Sequence, residues 1–161
     1  MPSKQLKPQP DKRAGAGADE RSGGSLADYE RSLRDAGQLF TVQRRAILRY
    51  LLRHGDHPTT AQIAASVGRA GAASLATVYN NLALFAKLRL VSVARTPDGE
   101  LRWDLRIDPH HHLSCPDCGR VVDIDVTDAE VVVPDPKLRR RVQRTEVWLI
   151  GPCESCAKDA A

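Results

Sequence analysis

The four cysteines of this chain occur as two Cys-x-x-Cys pairs, and this pattern constrains the fold more than any other feature. Cys115 and Cys118 form the first pair, Cys153 and Cys156 form the second, and 34 residues separate the pairs. Zn²⁺ binds four thiolates in a tetrahedron, and each pair supplies two sulfurs at a spacing that can reach one ion. Because no cysteine is left over, a structural zinc site is favoured over a redox dithiol or free thiols.

The rest of the sequence argues against export and membrane insertion. No apolar run approaches the roughly 18 residues that are needed to span a bilayer, and the basic N-terminus lacks the apolar stretch of a secretory signal. Without an export signal, paired cysteines are more typical of metal ligands than of disulfides. We therefore expect a cytoplasmic protein with no membrane partner.

Charge is divided unevenly between the two halves of the chain. Residues 1–96 carry 15 Lys and Arg against 7 Asp and Glu, whereas residues 97–161 carry 9 against 13. A basic front half favours contact with nucleic acid, and an acidic back half favours cations. The charge difference alone could also be a random imbalance of the surface. Sequence motifs are therefore needed to predict the partner.

Hydrophobic periodicity indicates an α+β organisation in three parts. Residues 1–25 contain almost no large apolar side chain, which predicts a disordered tail. Residues 26–105 contain four helical patterns and then two alternating runs, Leu90–Thr96 and Glu100–Leu105, on either side of Asp98-Gly99. Asp-Gly between alternating runs is a strong hairpin signal. Helices followed by a hairpin predict an N-terminal winged helix-turn-helix domain.

The third part, residues 106–161, predicts a small α/β dimerisation domain. Strand-like stretches cover residues 112–115, 121–126 and 145–150, and a helix is expected to begin near Pro136. About 50 residues build only a thin core, and domains of this size usually need a metal or a partner subunit. The cysteine site and a dimer interface would supply both.

Three motifs along the chain carry a family resemblance. They are Ala76-Thr77-Val78-Tyr79-Asn80-Asn81-Leu82, His110-His111-His112-Leu113-Ser114-Cys115-Pro116-Asp117-Cys118-Gly119 and Gly151-Pro152-Cys153-Glu154-Ser155-Cys156. Together they resemble the ferric uptake regulator (Fur) superfamily over about residues 25–158. The resemblance implies a homodimeric, metal-dependent bacterial repressor, with an N-terminal winged helix that binds a double-stranded DNA operator and a C-terminal dimerisation domain.

The resemblance also implies a second, regulatory metal site for Fe²⁺ or Mn²⁺. In the peroxide-sensing (PerR-like) branch, three histidines and two aspartates bind this ion, and the matching positions here are His57, Asp104, His110, His112 and Asp123. Three imidazoles and two carboxylates suit a first-row divalent ion. His111 should point to the opposite face of its strand. Taken singly, each histidine could equally be an ordinary capping or surface residue.

Assignment of the chain to the peroxide-sensing branch of the family depends on two further observations. Asp at position 123 goes with peroxide sensitivity among the relatives, whereas Glu there goes with plain iron sensing. Many relatives carry further histidines before the second cysteine pair, but Val142–Trp148 contains none, so an additional metal site is not expected. A regulator that responds to iron, manganese, zinc, nickel or heme without peroxide chemistry remains the alternative.

DNA binding is expected from the fourth helix, which should enter the major groove as recognition helices do. Polar side chains at its start can reach base edges, and basic side chains of the front half can reach phosphates. The predicted base-reading residues are Ser74, Thr77, Tyr79 and Asn80, and the predicted phosphate contacts are Arg44, Arg45, Arg49 and Arg69. A merely solvated polar face is the competing interpretation.

Two other classes of protein fit the sequence less well. A zinc hydrolase needs an open metal position, which a site of four cysteines lacks, and a thiol peroxidase needs a reactive cysteine outside the zinc cage. A zinc-binding interaction module that does not bind DNA would not need the basic front half. We therefore expect a peroxide-sensing, metal-dependent repressor rather than an enzyme.

Overall fold

The computed structural model describes residues 24–69, 73–124, 135–143 and 145–159, so the predicted tail over residues 1–25 lies almost wholly outside the described residues. Four helices and a hairpin come first, followed by a three-stranded sheet and two short helices. The helices are α1 (Leu26–Asp35), α2 (Val42–Arg53), α3 (Thr60–Arg69), α4 (Leu75–Lys87), α5 (Pro136–Arg139) and α6 (Glu154–Asp159), and the strands are β1 (Ser92–Arg95), β2 (Leu101–Asp104), β3 (His111–Ser114), β4 (Val121–Ile124) and β5 (Trp148–Ile150).

The long helices begin at hydroxyl residues that cap them. Ser25, Thr41 and Ser74 each accept a hydrogen bond from the backbone N–H three residues later. Thr59 does the same for the backbone N–H of Gln62 at 3.1 Å, and the Gln62 side chain accepts from the backbone N–H of Thr59 at 2.7 Å. These bonds satisfy N–H groups that the first turn of a helix leaves without a partner.

The core of the front half is formed by the apolar stripes of the first four helices. Its fully buried members include Leu33, Ile47, Ile63, Leu82 and Phe85. These residues lie three or four positions from other apolar residues of the same helix, so each stripe faces the others. The α2–α3–α4 arrangement with the β1–β2 hairpin is the helix-turn-helix with a wing that the sequence predicts.

The wing packs against the start of α3, and this contact positions the site described below. Trp103 is 3% exposed, its indole Nε1 donates to Thr60 Oγ1 at 2.8 Å, and its backbone N–H donates to Pro58 O at 3.1 Å. Thr59 also forms a bridge with Arg102 of β2. The end of β2 is therefore held against the loop that precedes α3.

The second sheet has the order β4-β3-β5. Strand β3 pairs antiparallel with β4, which places His112 opposite Asp123, and parallel with β5, which places His112 opposite Trp148. Within the described residues, no helix is long and apolar enough to cross a membrane.

The strands are shorter than the alternating patterns predict. The wing strands cover Ser92–Arg95 and Leu101–Asp104, because the Thr96 hydroxyl and backbone close the turn by bonding to Glu100. The last strand begins at Trp148 rather than near residue 145, and α6 was not predicted since six residues around a cysteine pair show no helical periodicity. The predicted end of the second strand near residue 126 lies outside the described residues.

Candidate metal centres and DNA-binding face

The four cysteines converge into one cluster, with all four sulfurs within 4.8 Å of one another. The Sγ atoms of Cys118 and Cys153 are 3.7 Å apart. Four sulfurs about 2.3 Å from one tetrahedral zinc would be separated by about 3.8 Å, so this spacing fits a shared ion. Gly119 closes the first pair with a φ of 70°, and its N–H donates to Cys115 O at 2.9 Å. A left-handed residue is needed in this turn, and glycine adopts it without strain.

The thiol pKa values show that the four sulfurs compete for negative charge. The backbone N–H of Cys156 lowers the pKa of Cys153 to about 6, whereas hydrogen bonding with Cys118 raises the pKa of Cys156 to about 12. Burial raises the pKa of Cys118 as well. Four thiols this close cannot all ionise without a cation, and Zn²⁺ supplies the charge that stabilises every thiolate. This cluster suits zinc.

A second cluster combines three histidines with two aspartates from five separate places in the fold. His57 precedes α3, Asp104 ends β2, His110 precedes β3, His112 lies on β3 and Asp123 lies on β4, and one ligand atom of each lies within 4.8 Å of the others. The shortest separations are 2.8 Å between His57 Nε2 and Asp123 Oδ1 and 3.1 Å between His110 Nε2 and Asp104 Oδ2. The structure thus brings together all five residues of the predicted regulatory set.

Local geometry explains why these side chains meet. His57 has a φ of 53°, an uncommon value for a residue other than glycine, and the following Pro58 is held by Trp103 of the wing. The pairing of β3 with β4 places His112 beside Asp123. Because strand side chains alternate, His111 points away and instead accepts a hydrogen bond from the Val147 N–H at 3.1 Å through Nδ1. His111 lies outside the cluster, in agreement with the alternation of the strand.

The buried polar atoms of the cluster fit a divalent ion. Within the described residues, His57 Nε2, Asp104 Oδ2, His110 Nε2 and Asp123 Oδ1 are buried without a well-formed hydrogen bond, although His57 Nε2 and Asp123 Oδ1 are only 2.8 Å apart. Burial of so many unsatisfied atoms is costly, and coordination of a cation would satisfy the nitrogen and oxygen lone pairs together. Imidazoles combined with carboxylates suit Fe²⁺ and Mn²⁺.

The two carboxylates of this cluster differ in their electrostatic surroundings. Burial raises the pKa of Asp104 above its ordinary value, although His57 opposes the effect. Burial also acts to raise the pKa of Asp123, but the close approach of His57, with His110 and His112 nearby, lowers that pKa below its ordinary value. Asp123, whose side chain is 27% exposed, is therefore the carboxylate that loses its proton at the lower pH.

His110 is oriented from behind by the backbone. Its Nδ1 lies 2.7 Å from Asp108 O. A carbonyl accepts and cannot donate, so Nδ1 carries the proton and Nε2 presents its lone pair to the cluster.

Arg102 connects the surroundings of the two clusters. Its guanidinium donates to His57 O at 3.3 Å and to Gly119 O at 3.1 Å, and it forms an ion pair with Glu100 at 2.7 Å. One side chain of the wing therefore contacts both the loop that carries His57 and the turn that closes the first cysteine pair.

Comparison with known proteins identifies the family. The family model of the ferric uptake regulator family matches residues 35–146, which is more than half of the chain. This protein belongs to the ferric uptake regulator family. The resemblance noted in the sequence and the α+β fold are thereby confirmed, and the chain is a member of a family of metal-dependent DNA-binding regulators.

Several relatives in this family are similar over most of their length. The peroxide-responsive repressor PerR of Staphylococcus epidermidis is 32% identical over 134 residues, which cover 80% of this chain and 87% of the relative. The peroxide operon regulator of Bacillus subtilis is 32% identical over 136 residues, covering 83% and 94%. Among solved structures, a zinc-bound manganese uptake regulator superposes with a TM-score of 0.61 at 25% identity, covering 77% of this chain and 97% of that one.

The helix α4 presents the polar side chains that the sequence analysis assigned to DNA. Tyr79 is 48% exposed and Asn80 is exposed, while Ser74 caps the helix and shares a hydrogen bond with Thr77 at 2.9 Å. On the opposite face of the helix, Val78, Leu82 and Phe85 are buried in the core. Base reading by these residues stays a prediction.

The four arginines assigned to phosphates are placed differently from one another. Arg45 lies over the ring of Phe40 at 5.1 Å and is exposed, as is Arg49. Arg44 donates to Asn81 Oδ1 at 3.0 Å and to Gln38 Oε1 at 3.2 Å, so its guanidinium already joins α2 to α4. The side chain of Arg69 lies outside the described residues. Arg45 and Arg49 therefore have the positions that suit phosphate contact best.

Sequence reasoning missed two residues that contact the regulatory cluster from outside. Glu146 lies 3.3 Å from His112 Nδ1, and the ring of Trp148 stacks on that of His112. Both residues lie in Val142–Trp148, whose only distinctive sequence feature is its lack of histidines. The parallel pairing of β5 with β3, which brings them to His112, cannot be predicted from the sequence.

Proposed function

We propose that this protein is a homodimeric transcriptional repressor that holds operator DNA while Fe²⁺ or Mn²⁺ occupies the histidine–aspartate cluster, and that peroxide releases it. The observation that carries the proposal is the cluster itself, with three histidines and two aspartates around one point. The two relatives at 32% identity are named as a peroxide-responsive repressor and a peroxide operon regulator. We place the activity in the cytoplasm and assign the chain no enzymatic reaction.

The cluster can couple metal to DNA because its ligands come from both halves of the molecule. His57 and Asp104 belong to the helix-turn-helix and its wing, whereas His112 and Asp123 belong to the second sheet. An ion that needs all of these ligands favours the arrangement in which the halves are close. That arrangement would present α4 of each protomer to the operator.

The response to peroxide depends on which side chains surround the ion. These five residues would hold Fe²⁺ or Mn²⁺, and Fe²⁺ would supply the electrons that reduce peroxide, whereas Mn²⁺ would not. All three imidazoles of the cluster are buried, with His57 2%, His110 5% and His112 1% exposed, so an oxidant produced at the ion would be close to an imidazole. The resemblance to the peroxide-sensing branch implies that His57 and His110 are the residues oxidised. An oxidised imidazole is a poorer ligand, and its loss would free the two halves.

The cysteine cluster has a separate role in this proposal. Its sulfurs come only from the second half, at the end of β3 and around the start of α6. A closed site of four thiolates stabilises a small domain and offers no open position for a reaction. We assign it one structural Zn²⁺.

Release of operator DNA under peroxide tests the proposal. Full-length protein with one zinc per chain would be loaded with Fe²⁺ or with Mn²⁺ in the absence of oxygen, and its binding to a labelled operator would be followed by fluorescence anisotropy. We expect both forms to bind DNA and only the Fe²⁺ form to release it when peroxide is added. Excess Mn²⁺ added afterwards should not restore binding, because the site itself is damaged.

Two outcomes would contradict the proposal in different ways. Equal persistence of the Fe²⁺ and Mn²⁺ complexes under peroxide would indicate a plain metal sensor, which is the alternative within the family. Binding of the operator with equal affinity when no divalent ion is added would contradict metal dependence. The variant His54→Asn serves as the control, because this histidine lies three positions before the proposed ligand His57 but outside the cluster.

A further inference from the structure

The outer side of His112 is covered by two residues of the segment that leads into β5. His112 Nδ1 lies 3.3 Å from Glu146 Oε1, and the same oxygen accepts a hydrogen bond from Trp148 Nε1 at 3.1 Å. The rings of His112 and Trp148 are stacked, with centroids 4.6 Å apart and planes at 20°. One carboxylate oxygen therefore contacts both rings of a stacked pair.

The backbone holds this group in register. The His112 N–H donates to Val147 O at 3.1 Å, and the Val147 N–H donates to His111 Nδ1 at 3.1 Å. The parallel pairing that follows places His112 opposite Trp148. The two residues that follow Glu146 are thus paired with β3, and this pairing places the Glu146 side chain beside His112.

We infer that Glu146 is a positioning residue for the regulatory metal, acting through His112. Its carboxylate accepts the Nδ1 proton, which fixes the tautomer whose Nε2 lone pair faces the cluster and makes the imidazole a stronger donor. Trp148 fixes the carboxylate by its N–H and shields one face of the imidazole from water. This inference rests on the proposed function in one respect, namely that the cluster binds a divalent ion.

The three histidines of the cluster have unequal support from outside. His112 Nδ1 lies 3.3 Å from a Glu146 carboxylate oxygen and His110 Nδ1 lies 2.7 Å from the Asp108 carbonyl oxygen, whereas within the described residues His57 Nδ1 has no such neighbour at hydrogen-bonding distance. A charged acceptor increases the basicity of an imidazole more than a neutral carbonyl does. His112 is therefore the anchoring ligand of the set, and His57 is the most easily lost.

A direct bond from Glu146 to the ion is disfavoured by its position. Glu146 approaches Nδ1, whereas Nε2 of the same ring lies 3.9 Å from Asp123 Oδ1 on the cluster side. The group of ligand atoms that lie within 4.8 Å of one another does not include Glu146, among the residues that the structure describes. Glu146 contacts the site from behind a ligand.

Mn²⁺ binding by full-length, zinc-containing protein tests the role of Glu146. Isothermal titration would compare the parent with Glu146→Leu and Glu146→Gln. We expect Glu146→Leu to weaken Mn²⁺ binding by about 10- to 100-fold, the usual effect of losing such an outer partner. Glu146→Gln keeps an oxygen that can accept the Nδ1 proton, so it should lose less. Glu30→Gln removes the same charge from α1, outside the cluster, and should leave the affinity unchanged.

Two spectroscopic measurements separate positioning from a general structural effect. Nitrogen-15 NMR of the histidine rings, without added Mn²⁺, should show His112 protonated at Nδ1 in the parent and in Glu146→Gln, and a mixture of tautomers in Glu146→Leu. Titration with Mn²⁺ should quench the fluorescence of Trp148. Trp148→Phe, which retains Trp103 as the remaining tryptophan, should lose most of that response.

The outcomes distinguish this inference from the proposed function. An Mn²⁺ affinity of Glu146→Leu within twofold of the parent, or a His112 tautomer that does not depend on Glu146, would overturn the inference and leave the proposed function standing. Failure of the parent to bind Mn²⁺ would overturn both. A loss in Glu146→Gln as large as in Glu146→Leu, with the tautomer unchanged, would show Glu146 to be a direct ligand and overturn its positioning role.

Discussion

The cysteine cluster takes its four sulfurs from two short pairs in the second half, whereas the histidine–aspartate cluster takes five ligands from separate places in both halves. The first cluster can form once two turns of one small domain are folded. The second forms only when the loop before α3, the wing and the second sheet are already in contact. The structure thus contains one cluster built within the second half and another built from side chains of both halves.

Ligand chemistry follows the same division. Thiolates hold Zn²⁺ in a closed tetrahedron, which suits permanent occupancy. Imidazoles and carboxylates bind first-row divalent ions less selectively and leave room for exchange or reaction. In the proposed function the second kind of site responds to the signal and the first kind keeps the second half folded, and variants of each cluster test this separation.

The largest effect is expected from losing one sulfur. Cys153→Ser should release zinc and unfold the second half, because structural zinc contributes folding free energy on the order of 10 kcal/mol in small domains. Zinc content per chain and thermal unfolding of the purified protein measure this. Asp117→Asn changes an exposed residue between two of the cysteines and should keep both zinc and stability. A folded Cys153→Ser protein without zinc would remove the structural role.

Loss of one ligand from the front half should weaken the coupling between metal binding and DNA binding without unfolding the protein. His57→Asn removes the imidazole but tolerates the positive φ of this position. The effect of Mn²⁺ on operator affinity should fall from about 5- to 150-fold, typical of coupled sites, to near unity, while zinc content stays unchanged. Anisotropy titrations with and without Mn²⁺ measure it, with His54→Asn as the control. Retention of full coupling in His57→Asn would contradict a site that joins the two halves.

DNA recognition should be separable from both clusters. Tyr79→Ala on α4 should cost roughly 1–3 kcal/mol in binding to the specific operator if the ring reads a base. Arg45→Ala should instead weaken binding to all sequences alike and reduce its dependence on salt. Competition between the operator and unrelated DNA at several salt concentrations distinguishes the two. If Tyr79→Ala kept its preference for the operator, α4 would not be the reading element.

The smallest change to binding is expected from lengthening one carboxylate. Asp123→Glu keeps the charge but adds a methylene, which alters how the carboxylate can hold the ion. Mn²⁺-dependent operator binding should persist, and the Fe²⁺ form should release DNA more slowly under peroxide. Rates of release at a fixed peroxide concentration measure this. An unchanged rate would show that the aspartate at this position does not set the sensitivity.

The sequence predicted much of the fold and the members of both clusters, but for different reasons. Cys-x-x-Cys spacing is local, so the zinc ligands follow from the sequence with little knowledge of the fold. The second set required the family resemblance, because no local pattern relates His57 to Asp123. Thr41 and Ser74 cap α2 and α4, and such helix starts follow from the local sequence because each cap is a contact over three residues.

Contacts between distant segments could not be predicted from local sequence patterns. The use of Arg44 to join α2 to α4 depends on tertiary packing that its charge does not reveal. The contact of Glu146 with His112 depends on the parallel register of β5 with β3, which neither strand specifies alone. The stretch before the second cysteine pair, which contains no histidine, contacts His112 through Glu146 and Trp148.

The most direct test of the account is to locate the oxygen that peroxide adds. Protein loaded with Fe²⁺ or with Mn²⁺ would be treated with peroxide, digested and analysed by mass spectrometry of its peptides. The account predicts one added oxygen atom on a peptide that contains His57 or His110, in the Fe²⁺ form and not in the Mn²⁺ form, in proportion to the loss of operator binding. Oxidation confined to Cys115, Cys118, Cys153 or Cys156 would make the zinc thiolates the sensor and contradict the division of roles between the two clusters.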